Sequence, residues 1–229
     1  MKLGHHPLIL PFYVPSLILS LSQGMLIPVL PLYVLEFDAS LWLVGIVLSG
    51  LPLGMISGDL PAGRFLRHYG QKRTMQTGFV GFCIANVAMY LSDSIGGALI
   101  FQFLTGFSFA LISVARHAYV TDRSYTSKRG RAIAMFGGLN RFGRFLGPIT
   151  GGSIGAIYGL PIVFLCVSGT CCVALAVVTY AMSGNGGGCG RQTSNQPVSS
   201  FRTVIKLHYR ILLSAGAGQL CAQTIRASR

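Results

Sequence analysis

Long apolar stretches separated by short polar or basic connections dominate the chain. A helix needs about 20 apolar residues to cross the roughly 30 Å of hydrocarbon in a bilayer. Six stretches of this kind follow one another closely, and the pattern predicts a membrane-spanning helix in each: 8–35, 41–62, 74–92, 95–120, 132–157 and 160–183. The pattern therefore predicts an all-α membrane protein, with residues 1–183 forming a bundle of six transmembrane helices.

The pattern changes after Met182. Residues 184–210 begin with a stretch rich in Gly, Ser, Asn and Gln and end in a basic amphipathic segment, which predicts a central linker whose end could lie on the membrane surface. Residues 211–229 start another apolar run, and Arg226 interrupts it after about 15 residues. We therefore expect the chain to end inside an incomplete seventh transmembrane helix.

Charge first suggests a different class of protein. The 18 Lys and Arg against 5 Asp and Glu give a net charge of +13, which would ordinarily raise the idea of nucleic-acid binding. Because 52% of the residues are hydrophobic and the mean hydropathy is +0.61, no soluble domain is left to carry a basic face. We expect a lipid bilayer as the surroundings of the chain and no nucleic acid as a partner.

The basic residues instead indicate topology. The short connections 36–40, 93–94 and 158–159 contain no Lys or Arg. The connections on the other side hold these basic residues: Lys2, Arg64, Arg67, Lys72, Arg73, Arg123, Lys128, Arg129, Arg131, Arg191, Arg202, Lys206 and Arg210. The positive-inside rule then predicts a multi-pass protein of the plasma or inner membrane with its N-terminus and linker in the cytoplasm.

Groups for catalysis or metal binding are scarce. Five acidic residues leave little for two-metal or paired-carboxylate mechanisms, and the histidines and cysteines lack the spacing of metal ligands. The glycine-rich residues 186–190 lack the Lys-Ser/Thr that follows in a phosphate-binding loop. We expect no enzymatic activity, no metal, no cofactor and no disulfide.

A glycine-containing, basic segment joins spans two and three. Gly63 and Gly70 are seven residues apart, with Asp59 before them and basic residues after, which alone is typical of a tight turn on the cytoplasmic side. The segment resembles the GxxxDRxGRR loop of the major facilitator superfamily, in its DxPxG variant. Since Arg67 stands at the acidic position of that pattern, Asp59 is our candidate for the ion-pair partner. The resemblance implies a part in the conformational switch for Asp59, Gly63, Arg67, Gly70, Lys72 and Arg73.

Glycines recur every four residues in span five, at 143, 147, 151, 155 and 159. Small residues at this spacing let helices approach closely in lipid, so the pattern predicts one continuous packing seam. Part of it resembles the span-five antiporter motif of the same superfamily, which is associated with proton-coupled exporters: Gly143, Gly147, Pro148, Gly151 and Gly152. The shorter glycine series at 50, 54 and 58 in span two predicts helix packing alone.

Polar residues within the spans predict a hydrated cavity. Arg141 and Arg144 are three residues apart and therefore share a helix face, and two buried guanidinium groups need water or an acidic partner. We take as candidates for the substrate cavity Gln23, Asn86, Gln102, Asn140, Arg141 and Arg144. The three residues in spans one, three and four could equally form interhelical hydrogen bonds.

Arg116 lies near the inner end of span four. We expect it to reach the cytoplasm or to pair with Asp122 or Asp59, and a substrate role is the alternative. Residues 101–122 resemble the span-four pattern of the superfamily, with Gln102 where the pattern has an arginine thought to assist proton coupling. Span one also has no acidic residue within the membrane. The sequence thus favours the exporter fold more strongly than any defined proton path.

The resemblance implies two helical bundles with the substrate bound between them and alternating access by rocking. Our leading hypothesis is the N-terminal half of a proton-linked exporter of the multidrug-resistance type for a small organic solute, inactive without its C-terminal bundle or a partner chain. Protons are the candidate coupling ion. One alternative is a non-transporting truncated isoform or scaffold that pairs through the glycine seam. The other is a facilitator or symporter for an anionic metabolite, suggested by Arg141 and Arg144.

Overall fold

The computed structural model describes residues 13–123 and 129–181, with side chains described over 13–119 and 134–180. The described residues form these α-helices: α1 (Val14–Leu35), α2 (Leu41–Tyr90), α3 (Ile95–Arg123), α4 (Arg129–Tyr158) and α5 (Leu160–Ala181). The predicted linker, 184–210, and the predicted seventh span, 211–229, lie outside the described residues.

The prediction of six separate spanning helices is wrong for the described residues, which form five. The second and third predicted spans both lie in α2, which is 50 residues long. Four helices are long and apolar enough to cross a membrane, namely α1, α2, α3 and α5. We attribute the absence of α4 from this set to Arg141, Arg144 and its many glycines, which lower its mean hydropathy.

Gly70 divides α2 into two arms. A straight helix of 50 residues would be about 75 Å long, more than twice the thickness of the hydrocarbon core. The backbone leaves helical geometry at Gly70, with φ 77° and ψ 172°. We call residues 41–69 the first arm and residues 71–90 the second arm.

Packing against α3 shows that the two arms run in opposite directions. In the first arm, residues 50–58 face residues 99–110 of α3 in ascending order. In the second arm, residues 78–81 face residues 108–112 in descending order. The chain therefore reverses at Gly70, and the two arms lie where the sequence pattern predicted spans two and three.

Glycines set how closely the first arm approaches α3. A Cβ added at Gly54 would overlap the Phe103 carbonyl and lie 2.9 Å from the Phe107 amide nitrogen. Gly50 and Gly58 are also buried against α3. The prediction that the glycine series of span two serves helix packing is confirmed, because only residues without a side chain permit this approach.

A second glycine contact joins α4 to α1. Cβ atoms added at Gly143, Gly147 or Gly151 would overlap α1, and the one at Gly147 would overlap Gly24. The predicted seam of five glycines is too long, because only three of the five approach α1 this closely. Gly159 has φ 95° and follows the last residue of α4. We call the three-glycine contact with α1 the glycine seam.

Hydrogen bonds and ring packing complete the bundle around α1. The Tyr33 hydroxyl donates to the Ser92 carbonyl oxygen at 2.6 Å, and its ring meets that of Phe164 edge to face at 5.0 Å. The Ser22 and Thr170 hydroxyls lie 2.8 Å apart and join α1 to α5. Many large apolar side chains are instead exposed, as expected for helices that face lipid. α1, both arms of α2, α3 and α4 line the space described next.

Candidate functional site

Two adjoining cavities lie among α1, the first arm, α3 and α4, and Phe82 of the second arm also lines one of them. The first has a volume of about 440 Å³ and a mainly apolar lining, with Gln23, Gln102 and Arg144 as its polar members. We call it the apolar cavity. The second has a volume of about 360 Å³ and is lined by residues including Arg116, Asn140, Arg141 and Arg144. We call it the polar cavity.

The two cavities share part of their lining. The shared residues are Gln23, Met55, Phe109 and Arg144. Among them, Arg144 Nη2 donates a hydrogen bond to Gln23 Oε1 at 3.0 Å, which joins α4 to α1 at the border of the cavities. The predicted candidates Gln23 and Arg144 therefore meet in the structure.

The remaining candidates on α4 also reach the polar cavity. The Ser20 hydroxyl donates to Asn140 Oδ1 and also lies 2.8 Å from the Ser16 carbonyl oxygen. Arg141 is exposed and lines the same cavity. The face of α4 predicted from the spacing of the two arginines is the one that the structure directs to the cavity.

Of the two candidates Gln102 and Asn86, only Gln102 lines one of the cavities. Gln102 is buried and lines the apolar cavity. Asn86 is also buried, but it lines neither cavity, and its Nδ2 donates to the Phe82 carbonyl oxygen of its own helix at 2.8 Å. Asn86 therefore lies outside these two cavities, with one amide N–H bonded within its own helix, and its place in a substrate cavity stays a prediction.

Arg116 is the most enclosed charge of the site. Its side chain is 4% exposed and lines the polar cavity. The guanidinium carbon lies 5.3 Å from the centre of the Phe136 ring and 5.9 Å from that of Phe109. Within the described part of the chain, Nε and Nη1 have no hydrogen-bond partner.

The ion pairs predicted for this site are not found among the described side chains. Asp59 is exposed on the first arm and forms no ion pair with any of them, so the predicted pairing of Asp59 with Arg116 is wrong there. The Asp122 side chain lies outside the described residues. The other acidic side chains that the structure describes, Glu36, Asp38 and Asp93, are exposed and line neither cavity. The described lining of the polar cavity is therefore positively charged.

The residues of the predicted conformational-switch loop lie in the first arm and around the reversal of α2, and none of them lines either cavity. Gly70 makes the turn itself. Gly63 lies within the first arm with open space around it. Arg67 and Arg73 are exposed and Lys72 is partly buried.

In the antiporter-like motif, Pro148 lies inside α4 and Gly152 has open space around it, outside the glycine seam.

Sequence reasoning missed the aromatic lining around Arg116. Phe109 lines both cavities, and Phe136 lines the polar cavity. A signal was present on α3, because Gln102, Phe109 and Arg116 recur every seven residues and so lie on one helix face. Over the described ranges, no cluster of His, Cys, Asp or Glu could hold a metal ion.

Long apolar helices that expose apolar side chains and line polar cavities are typical of a multi-pass membrane protein. The chain belongs to the Major Facilitator Superfamily, whose family profile matches residues 14–221. It is accordingly an integral membrane protein of a transporter family and not an enzyme, as the sequence predicted.

Relatives come from bacteria and an archaeon. An uncharacterized MFS-type transporter of Yersinia pestis is 28% identical over 120 residues, which are 52% of this chain and 31% of that protein. An uncharacterized MFS-type transporter of Methanocaldococcus jannaschii is 21% identical over 160 residues, which are 70% of this chain and 41% of that protein. Multidrug resistance protein 2 of Bacillus subtilis is 24% identical over 162 residues, which are 71% of this chain and 40% of that protein.

Solved structures support the fold. The crystal structure of the POT family transporter PepTSo matches with a TM-score of 0.68 at 16% identity, over 79% of this chain and 38% of that one. The match shows a major-facilitator-like helical fold. The chain spans between about a third and two fifths of the length of the relatives that it matches.

Proposed function

We propose that this chain supplies the N-terminal bundle of a transporter that moves a small organic solute by alternating access. The observation that carries the proposal is the pair of cavities lined by α1, both arms of α2, α3 and α4, with Gln23 and Arg144 joined at their border. Polar side chains inside a membrane bundle are costly unless they contact water, a partner or a solute. Lining a solute path accounts for their convergence on one place.

The proposal also covers the membrane crossings. We propose that α1, both arms of α2, α3, α4 and α5 each cross the bilayer, which gives six crossings with the N-terminus in the cytoplasm. α4 would cross despite its arginines because Arg141 and Arg144 face the cavity. A second bundle, supplied by the C-terminal half of the transporter or by a partner chain, would close the cavity.

We further propose that the whole transporter exports its solute, coupled to protons. The support is the likeness of the span-five motif to that of antiporters and the relative named Multidrug resistance protein 2. Since no described carboxylate lines either cavity, the group that carries the proton is expected elsewhere. Asp122 and the second bundle are the candidates.

The scaffold alternative receives less support from the structure. It requires the glycine seam to be available to a partner. Gly143, Gly147 and Gly151 already contact α1 of the same chain so closely that no added Cβ would fit. A partner would have to displace α1, so we favour transport.

A thiol-labelling experiment tests whether the cavity is a water-filled solute path. We expect the thiol of Ser113→Cys, in the polar cavity, to react with the anionic reagent sulfonatoethyl methanethiosulfonate at least tenfold faster than that of Ile100→Cys. Both positions lie on α3, and Ile100 is exposed on an apolar surface outside both cavities. The reaction needs an ionised thiol, which forms readily only in contact with water.

The measurement uses the 229-residue chain in membrane vesicles, and the unchanged chain gives the background from its native cysteines. Equal, slow rates at the two positions would mean that the polar cavity is dry. That result would contradict a solute path through this bundle.

A further inference from the structure

We propose that the two cavities together bind an amphipathic organic anion. Its carboxylate, sulfonate or phosphate group would lie in the polar cavity among Arg116, Arg141 and Arg144, and its apolar body would occupy the apolar cavity. The inference rests on the proposed function, since it names the class of solute for the same site.

The first step is the state of Arg116. A charge that is 96% buried is strongly unfavourable unless it is paired and hydrogen-bonded. The faces of Phe109 and Phe136 stabilise the guanidinium partly through cation–π contacts. Nε and Nη1 nevertheless have no acceptor among the described residues, although both are donors of strong charge-assisted hydrogen bonds. An anion in the polar cavity supplies the missing acceptors.

The second step is the charge of the whole polar cavity. Three guanidinium groups, those of Arg116, Arg141 and Arg144, line it, and no described carboxylate does. Asn140 and Ser113 add neutral polar groups to the lining. Guanidinium groups match carboxylate and phosphate oxygens in geometry as well as charge. The site therefore selects an anion and repels an organic cation.

The third step is the continuity of the two cavities. They share Gln23, Met55, Phe109 and Arg144, so a ligand whose charged end contacts Arg144 can extend into the neighbouring space. Aliphatic side chains dominate that space: Leu26, Ile27, Leu30, Leu48 and Leu51. Its volume of about 440 Å³ falls within the roughly 300–1,000 Å³ of small-molecule sites. A small aromatic or branched aliphatic acid fits both compartments.

Two probes of equal size and opposite charge test the inference. The 229-residue chain in phosphatidylcholine nanodiscs is titrated by calorimetry with 2-naphthoate and with 2-naphthylmethylammonium. We expect saturable binding of the anion and an affinity for the cation at least tenfold lower. Equal affinities, or tighter binding of the cation, would overturn the inference. Water-accessible cysteine at position 113 would in that case still support the proposed function.

An anionic lipid offers the same chemistry as a free organic acid, so the titration is repeated in nanodiscs that contain phosphatidylglycerol. Unchanged naphthoate affinity supports a soluble anion as the ligand. A lower naphthoate affinity in these nanodiscs supports the lipid as the source of the anion. In that case native mass spectrometry should find phosphatidylglycerol retained by the wild-type chain and lost from the Arg116→Met variant.

Variants separate binding from a structural role. Arg116→Met is expected to weaken naphthoate binding at least tenfold and to raise the thermal midpoint of the empty protein, because it removes an unpaired buried charge. Arg64→Met, exposed on the first arm and outside both cavities, is the matched control and is expected to change neither value.

A lower thermal midpoint for Arg116→Met would show that Arg116 has a structural partner. Arg141→Gln keeps the inference testable in that case, because Arg141 is exposed to the cavity and its replacement should leave folding intact. Unchanged naphthoate affinity in Arg141→Gln and Arg116→Met alike would overturn the anion site.

Discussion

Gly63 and Gly70 belong to the same loop pattern but meet different requirements. Gly70 has φ 77° and ψ 172°, a backbone region that is essentially restricted to glycine because a Cβ would collide with the backbone. Gly63 lies in regular helix, and a Cβ there would meet no atom within 4 Å. Only Gly70 is required by the conformation of the chain, since it reverses α2.

We expect Gly70→Ala to destabilise the protein by about 1–3 kcal/mol, the typical cost of a residue held in this region. Gly63→Ala should stabilise it by about 0.5–1 kcal/mol, because alanine loses less backbone entropy in a helix. Denaturant unfolding of the two variants in the same detergent measures both changes. Equal effects of the two substitutions would contradict the assignment of the turn to Gly70.

Single residues show where sequence reasoning succeeds and where it stops. Gln23 and Arg144 were predictable because polar groups in an apolar span must face water or a partner, and the structure joins them. Asn86 satisfied the same rule but bonds to its own helix, which spacing cannot reveal. Arg116 was expected to reach the cytoplasm or to form an ion pair, and the lack of acceptors for Nε and Nη1 among the described residues depends on tertiary packing, which spacing does not predict.

At the scale of elements, α1 and α4 are held together by backbone contact. The Cα of Gly24 and the backbone of Met25 occupy the space where a side chain at Gly147 would lie. Without a hydrophobic effect between helices in lipid, such close approach is a main source of association. The glycine seam therefore fixes one wall of both cavities, since Gln23 and Arg144 flank it.

Alanine substitutions within α4 test the glycine seam. Gly147→Ala is expected to destabilise the bundle by about 1–3 kcal/mol, because its methyl group must push α1 and α4 apart. Gly152→Ala, five residues further along the same helix in open space, is the control and should be neutral or slightly stabilising. Thermal unfolding in detergent distinguishes them, and a Gly147→Ala midpoint at or above that of the unchanged chain would disprove the contact.

The boundaries of the elements were less predictable than their existence. Apolar length alone placed stretches close to α1, α3, α4 and α5. It could not predict that the second and third spans join through a single residue, because the turn depends on one φ value and not on polarity. The same limit applies to Gly159, which fits the four-residue period but follows α4 as a turn.

At the scale of the whole molecule, basic residues occupy two kinds of position. Most lie in the segments that the sequence pattern predicts as connections, where they predict orientation, and Arg116, Arg141 and Arg144 line a cavity within the bundle. The described acidic side chains are all exposed and none lines that cavity. A bundle with this distribution attracts anions from the aqueous phase into the cavity, which links the charge of the chain to the proposed solute.

The orientation of the bundle can be measured at the two ends of the first arm. Ser40 precedes the arm, in a connection without basic residues, and Arg73 follows the reversal at Gly70, in a segment rich in them. Positive-inside topology therefore places Arg73 in the cytoplasm and Ser40 outside. With an impermeant maleimide on intact cells, we expect Ser40→Cys to be labelled and Arg73→Cys to be protected.

Inverted vesicles should give the reverse result, and the unchanged chain supplies the background from native cysteines. Labelling of Arg73→Cys alone on intact cells would invert the proposed orientation. Labelling of both positions from the same side would show that the first arm does not cross the bilayer, and the proposal of six crossings would fall. Because both residues are exposed at helix ends, neither substitution should disturb packing, so the labelling reports position and not misfolding.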